Sequence, residues 1–203
     1  MPGADGRSGV LEYGIATWTL AGESVSGDTA VIESANDTTL VAVIDGLGHG
    51  AEAASAAWIA AGILRQRAGE PLIRLIEIAH EALGQTRGVA MSLASFRSAD
   101  DTMTWLGLGN VKGTLVDRQK PPRSIMLASG IVGHELPRLQ TKTLSVRRGS
   151  MLIMATDGVR NSLGQAIVSS GSAQEIADAI LAKRGTGTDD ALVVVARYLG
   201  IGP

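Results

Sequence analysis

The chain contains no cysteine, which removes disulfides, thiolate metal ligands and cysteine nucleophiles from consideration. Aromatic residues make up only 3% of its 203 residues, so the core must be filled by Ala, Val, Leu and Ile rather than by rings. An excess of either charge is also missing: 18 Lys and Arg stand against 20 Asp and Glu, a net charge of −2. A nucleic-acid binder would carry a basic surplus, and the balance here argues against one. Long apolar runs are lacking as well. The richest, residues 53–64, has 12 residues and includes Ser55, whereas a membrane span needs about 20. Residues 1–9 hold two charges of opposite sign and no apolar centre, unlike a signal peptide. With 45% hydrophobic and 19% charged residues, the composition is globular. The expectation is a soluble, cytoplasmic, single domain over residues 1–203, with its core over about residues 12–199.

What the chain has in surplus is glycine, 26 residues, against a usual share of about 7%. These glycines form no low-complexity tract and stand singly at the ends of apolar runs, where tight turns need them. Strands are expected over residues 12–20, 28–33, 38–44, 89–96, 101–108, 110–116, 123–127, 151–156 and 191–198. The run TTLVAVI at 38–44 is nearly continuous in apolar character, which marks a strand buried on both faces. Helices are expected over 51–67, which is Ala-rich and closes with Arg65 and Arg67, over 71–83, and over 172–183. In the last of these Ser172 and Glu175 form a capping box. Many strands joined by short turns, with few helices, indicate an α+β fold with largely antiparallel sheets.

Asp45, Asp157 and the pair Asp189-Asp190 share one context, the edge of a strongly apolar strand. Gly46 and Gly158 follow the first two. An Asp closing a buried strand is held on a rigid element, and a following Gly lets the backbone approach a ligand. Carboxylates converging there would repel unless protonated or neutralised by a cation. Oxygen ligands with no Cys and only 3 His point to Mg²⁺ or Mn²⁺ rather than Zn²⁺. An isolated Asp-Gly is also an ordinary turn dipeptide, so spacing alone leaves both readings open. The segment Asp45-Gly46-Leu47-Gly48-His49-Gly50 is more specific. Its evenly spaced glycines do not match the G-x-G-x-x-G dinucleotide loop, and it opens with a carboxylate, which suits a metal-bridged phosphate.

This segment, with Ser26-Gly27-Asp28 upstream and Asp157-Gly158 and Asp189-Asp190 downstream, resembles the metal-dependent serine/threonine phosphatases of the PP2C (PPM) superfamily, closest to the SpoIIE-like branch. The motifs stand in family order and span residues 26–195. The resemblance implies an α-β-β-α sandwich of two mainly antiparallel sheets flanked by helices, with two Mn²⁺ or Mg²⁺ ions (at most three) at one end. By the same resemblance Asp45 bridges both metals, the Gly46 carbonyl binds the second, Asp157 and Asp189 hold the first, and Asp28 serves the second directly or through water. Asp190 stands behind the ligands. The activity implied is hydrolysis of phosphoserine or phosphothreonine by metal-activated water, through Asp45, Asp157 and Asp189. The implied substrates are phosphorylated stressosome scaffold and kinase-like proteins, met by a monomeric, cytoplasmic enzyme that uses neither nucleic acid nor membrane.

Two departures qualify the resemblance. The eukaryotic branch has a candidate general acid, a His, where Leu47 stands here, while His49 lies further on, as a catalytic group or a structural one at the helix entrance. No Arg near Asp28 matches that branch's phosphate-binding Arg; the nearest upstream is Arg7. Leaving-group protonation is therefore assigned to metal-bound water. His80 and His134 are expected to be surface or packing residues, residues 107–110 a structural turn, Trp18, Trp58 and Trp105 core residues, and 121–123 and 147–148 solvated turns. The competing readings are a catalytically silent binding domain on the same fold and a phosphohydrolase of small molecules.

Overall fold

The computed structural model describes residues 6–117, 119–160 and 171–200. Eleven strands and three helices occur among them, in the order β1 (Gly6–Ser8), β2 (Leu11–Trp18), β3 (Asp28–Ala35), β4 (Thr38–Gly46), α1 (Gly50–Gln66), α2 (Leu72–Leu83), β5 (Val89–Arg97), β6 (Thr102–Leu108), β7 (Lys112–Asp117), β8 (Lys120–Ile125), β9 (Lys142–Ser145), β10 (Met151–Ala155), α3 (Ala173–Arg184) and β11 (Ala191–Tyr198). They build a six-stranded sheet, β1-β2-β11-β10-β7-β8, and a five-stranded sheet, β3-β4-β5-β6-β9. Every neighbouring pair is antiparallel. The layers are those of an α-β-β-α sandwich.

Strand alternation feeds three cores. On β4, Leu40, Ala42 and Ile44 face α1 and α2, while Val41 and Val43 face the other sheet, which explains the uninterrupted apolar run. On β11, Leu192, Val194, Ala196 and Tyr198 enter the space between the sheets; Ala191, Val193 and Val195 lie beneath α3. The buried face of α1 is built from Ala53, Ala56, Ala57, Ala60, Ala61 and Leu64, small residues that bring the helix close to the sheet. Ser172 and Glu175 close the expected capping box at the start of α3.

Two expectations are corrected, and two further strands are found. Trp105 is buried, but Trp18 and Trp58 are 51% and 57% exposed, because β2 ends at Trp18 and Trp58 lies on the outer face of α1. Pro121, Pro122 and Arg123 lie in β8 rather than in a turn. An edge strand tolerates proline because it has an unpaired side. The region before Gly149 pairs as β9 at Lys142–Ser145, and the short edge strand β1 lies ahead of the expected first strand.

Candidate active site

Pairing register brings the strand-ending carboxylates to one end of the sandwich. Asp28 opens β3 and faces Asp45, near the end of β4, as a direct cross-strand partner. In the other sheet Asp157 follows β10 and Asp189-Asp190 precede β11. Those strands pair from Met151↔Arg197 to Ala155↔Val193, so their aspartates share an end. Thr156 ties the sheets together there. Its hydroxyl donates to Asp28 Oδ2 at 2.7 Å and accepts from the Leu192 amide at 2.9 Å.

The electrostatics of this end are one-sided. Burial, then the charge of Asp45, pushes Asp28 up to about 8, against the opposing Thr156 hydrogen bond. Burial and then the charge of Asp157 push Asp45 up to about 7, with further repulsion from Asp189 and Asp190 and opposition from a hydrogen bond to Asn110. Asp190 has a different task from the rest. Its Oδ1 accepts from the Leu20 amide at 2.8 Å and its Oδ2 from the Gly27 amide at 2.7 Å, so it fastens the β2–β3 loop and is buried in doing so. Gly46 is sterically required. Its amide donates to the Gly27 carbonyl at 3.0 Å, and a Cβ would stand 2.2 Å from the Ala53 carbonyl oxygen of α1.

Asn110 belongs to this cluster, although its place in a Gly-rich strand turn suggested a structural role. Its Nδ2 donates to Asp45 Oδ2 at 3.0 Å and to Asp157 Oδ2 at 2.7 Å, joining the two sheets, while its buried Oδ1 has no partner. The signal in the sequence was weak, since an Asn at the end of a strand is most often a turn residue. His49 contacts Glu23 of the β2–β3 loop. It is the residue before α1, makes no side-chain cap, and its Nδ1 meets Glu23 Oε1 at 2.5 Å in an exposed contact with the β2–β3 loop. His80 is a packing residue whose Nδ1 accepts from the Gly133 amide at 3.0 Å. Arg7 lies on β1 opposite Glu12 in the strand register, near the start of β2 and at the opposite end of that strand from the carboxylates.

The donor set suits a hard cation. It is oxygen-only and contains neither thiol nor imidazole, and the upward shifts of Asp28 and Asp45 show that the charged forms lack a neutralising partner. Among the described residues no three acidic or imidazole side chains close around one point, and the Asn110 amide stands between Asp45 and Asp157.

Two face-to-face antiparallel sheets flanked by helices, with aspartates at one end, have the architecture of a PP2C-type phosphatase domain. Residues 35–199 match the family model of stage II sporulation protein E (SpoIIE), and the chain belongs to that family. It is 25% identical over 138 residues to the phosphoserine phosphatase RsbX of Bacillus subtilis (strain 168), covering 68% of this chain and 69% of RsbX. A chain described under "The bacterial stressosome: a modular system that has been adapted to control secondary messenger signaling" superposes with a TM-score of 0.87 at 28% identity. The match covers 92% of this chain and 99% of that one. RsbX in complex with magnesium superposes with a TM-score of 0.82 at 22% identity, over 93% and 95% of the two chains.

Proposed function

We propose that the protein hydrolyses phosphoserine or phosphothreonine on stressosome-type regulatory proteins in the cytoplasm, with Asp28, Asp45, Asp157, Asp189 and the Gly46 carbonyl holding two Mn²⁺ or Mg²⁺ ions. When bound, the ions supply the positive charge and the acidified water that hydrolysis of a phosphate monoester requires. Asp45 would contribute to both ions; its standing opposite Asp28 in the strand register and its sharing of the Asn110 amide with Asp157 support this. Thr156 and Asn110 orient these carboxylates by hydrogen bonds that favour the charged form. Asp190 and Gly46 fix the backbone around them. Leu47 carries no proton to give and His49 is turned toward Glu23, so the leaving serine or threonine oxygen takes its proton from solvent at the site.

The observation that carries this reading is the placement of carboxylates from four strand ends at one end of the sandwich, with Asp28 and Asp45 held far above the usual carboxylate range. The experiment is phosphate release from phosphorylated stressosome scaffold and kinase-like proteins, with Mn²⁺ or Mg²⁺ and with EDTA, set against a generic phosphopeptide. Release that depends on the ions and favours the intact proteins is the expected result. Release that survives exhaustive chelation overturns the metal assignment.

A further inference from the structure

The face of β2 that lies beneath α3 changes in size along the strand. Gly14, Ala16 and Trp18 alternate onto it. The first two are small enough for the helix to rest on the strand, and a Cβ on Gly14 would stand 2.4 Å from the Gln174 backbone. Trp18 ends the strand beside the last turns of α3, and there the two elements part. Trp18, Asp178, Leu181, Ala182, Gly185 and Gly187 line a mostly apolar groove of about 410 Å³ between them. Asp178, whose Oδ1 accepts from Gln174 Nε2 at 2.9 Å, marks its polar edge. A single exposed apolar side chain is ordinary on a protein surface, but an indole lining a concave apolar groove is the form that a binding site takes.

We propose that this groove is a specificity subsite of the phosphatase, taking an aromatic or long aliphatic side chain of the substrate protein beside its phosphorylated residue. The proposal rests on the phosphatase reading of the neighbouring carboxylates. Its occupant follows from where the groove lies. The wall at residues 185–187 is tied to the segment after Asp157: Gly185 bridges to Val159, and the Thr186 amide donates to the Gly158 carbonyl at 2.9 Å. The same wall runs on into Asp189. Trp18 stands opposite Ala191, and the Leu20 amide donates to Asp190 Oδ1 at 2.8 Å, so the indole is carried on backbone fixed to the carboxylate end. From Ala191 back to Asp189 is about 7 Å at the usual strand rise, and an extended chain with its phosphate at the aspartates reaches the indole within roughly two to four residues. The groove is thus continuous with the surface that a phosphoprotein must meet, and its lining asks for an apolar group rather than a charged one. An aryl phosphate is too short to reach it.

The probes are labelled phosphoserine peptides of one sequence, with a single Phe or Ala placed in turn at each position up to about four residues on either side of the phosphoserine. Their kcat/KM with Mg²⁺ and their affinity by fluorescence anisotropy are measured for wild type, Trp18→Ala, Trp18→Phe and Ala182→Gln, with an aryl phosphate as control. Wild type is expected to favour Phe over Ala at one position by about 10–100-fold, the effect of burying one large apolar side chain. Trp18→Ala removes the ring and Ala182→Gln fills the groove from the helix side. Each should cut that preference to within about threefold and leave aryl phosphate hydrolysis within about threefold of wild type, because only the longer substrate uses the groove. Trp18→Phe retains a ring and should retain most of the preference. Ala182 is exposed and Gln is a good helix former, so that variant keeps the test valid if Trp18→Ala folds poorly. A wild type indifferent to Phe, a preference that survives both variants, or equal losses on peptide and aryl phosphate overturns the proposal. So does a dimer that dissociates when Trp18 is replaced while the peptide preference is unchanged, since the groove would then hold a second copy of the chain. A wild type that releases no phosphate from any probe, yet binds the Phe peptide in a way that both variants lose, overturns the phosphatase reading and leaves the groove standing as a peptide site.

Discussion

Asp28 and Asp45 set the pH behaviour of the metal-free protein. An acid whose pKa is higher in the folded state than in the unfolded chain contributes stability that is full below the unfolded value and is lost as pH rises through the folded one. For Asp28 that window runs from 3.8 to about 8 and for Asp45 from 3.8 to about 7. In EDTA the wild-type Tm should therefore fall more steeply across this range than that of Asp28→Asn, as followed by thermal unfolding at a series of pH values. Asp45→Asn should raise the Tm in EDTA at pH 8 by a few degrees, about 1–2 kcal/mol for a chain of this size, because it removes a repelled charge. The same variant should lose both the Mn²⁺-induced rise in Tm and phosphatase activity. Lower stability in EDTA with an undiminished response to Mn²⁺ would take Asp45 out of the metal site. Asn110 acts on its neighbours, and Asn110→Ala should weaken Mn²⁺ binding by about 10–100-fold in calorimetry, as loss of a carboxylate's supporting hydrogen bond does at other metal sites. Asp45, Asp157, Asp189 and Asp190 were legible in the sequence because each stands at the edge of an apolar strand, an unusual place for a charge, and Asp28 only through the family resemblance. Asn110 was not, because a turn and a bridge between two sheets use the same amide.

The contact between β4 and α1 leaves almost no room. Gly46→Ala would press a methyl group into the Ala53 carbonyl and should cost about 1–3 kcal/mol in urea denaturation while displacing the loop that carries Asp45. Glu23 and His49 join the β2–β3 loop to the start of α1. His49→Ala is therefore expected to lower kcat by less than about threefold, where loss of a general acid costs about 10²–10⁴-fold, and steady-state kinetics on an aryl phosphate separates the two. The helices and the buried strands were readable from periodicity, caps and β-branched runs, since those signals are local. The edges were less so. β8 contains two prolines and has one unpaired side, so its place in the sheet depends on its partner β7 rather than on its own propensity.

Over the whole molecule the carboxylate end is open, with Asp157 exposed beside the more buried Asp28 and Asp45, which suits a phosphorylated side chain presented by another protein. The intact phosphoprotein should exceed its excised phosphopeptide in kcat/KM by orders of magnitude, because contacts remote from the phosphate contribute to positioning. Equal values would indicate a promiscuous phosphatase. By itself the sequence determined the class of fold, the family and the aspartates of the candidate site, because apolar periodicity, the DGLGHG segment and the strand-ending carboxylates are written in consecutive residues. The tertiary structure alone decided how those aspartates divide their work. Asp190 became a fastener of the β2–β3 loop, and Asn110 became a bridge between Asp45 and Asp157. It also left Trp18 and Trp58 outside the core. These outcomes depend on strand register and on the stacking of two sheets, contacts between residues tens to more than a hundred positions apart that no local pattern encodes.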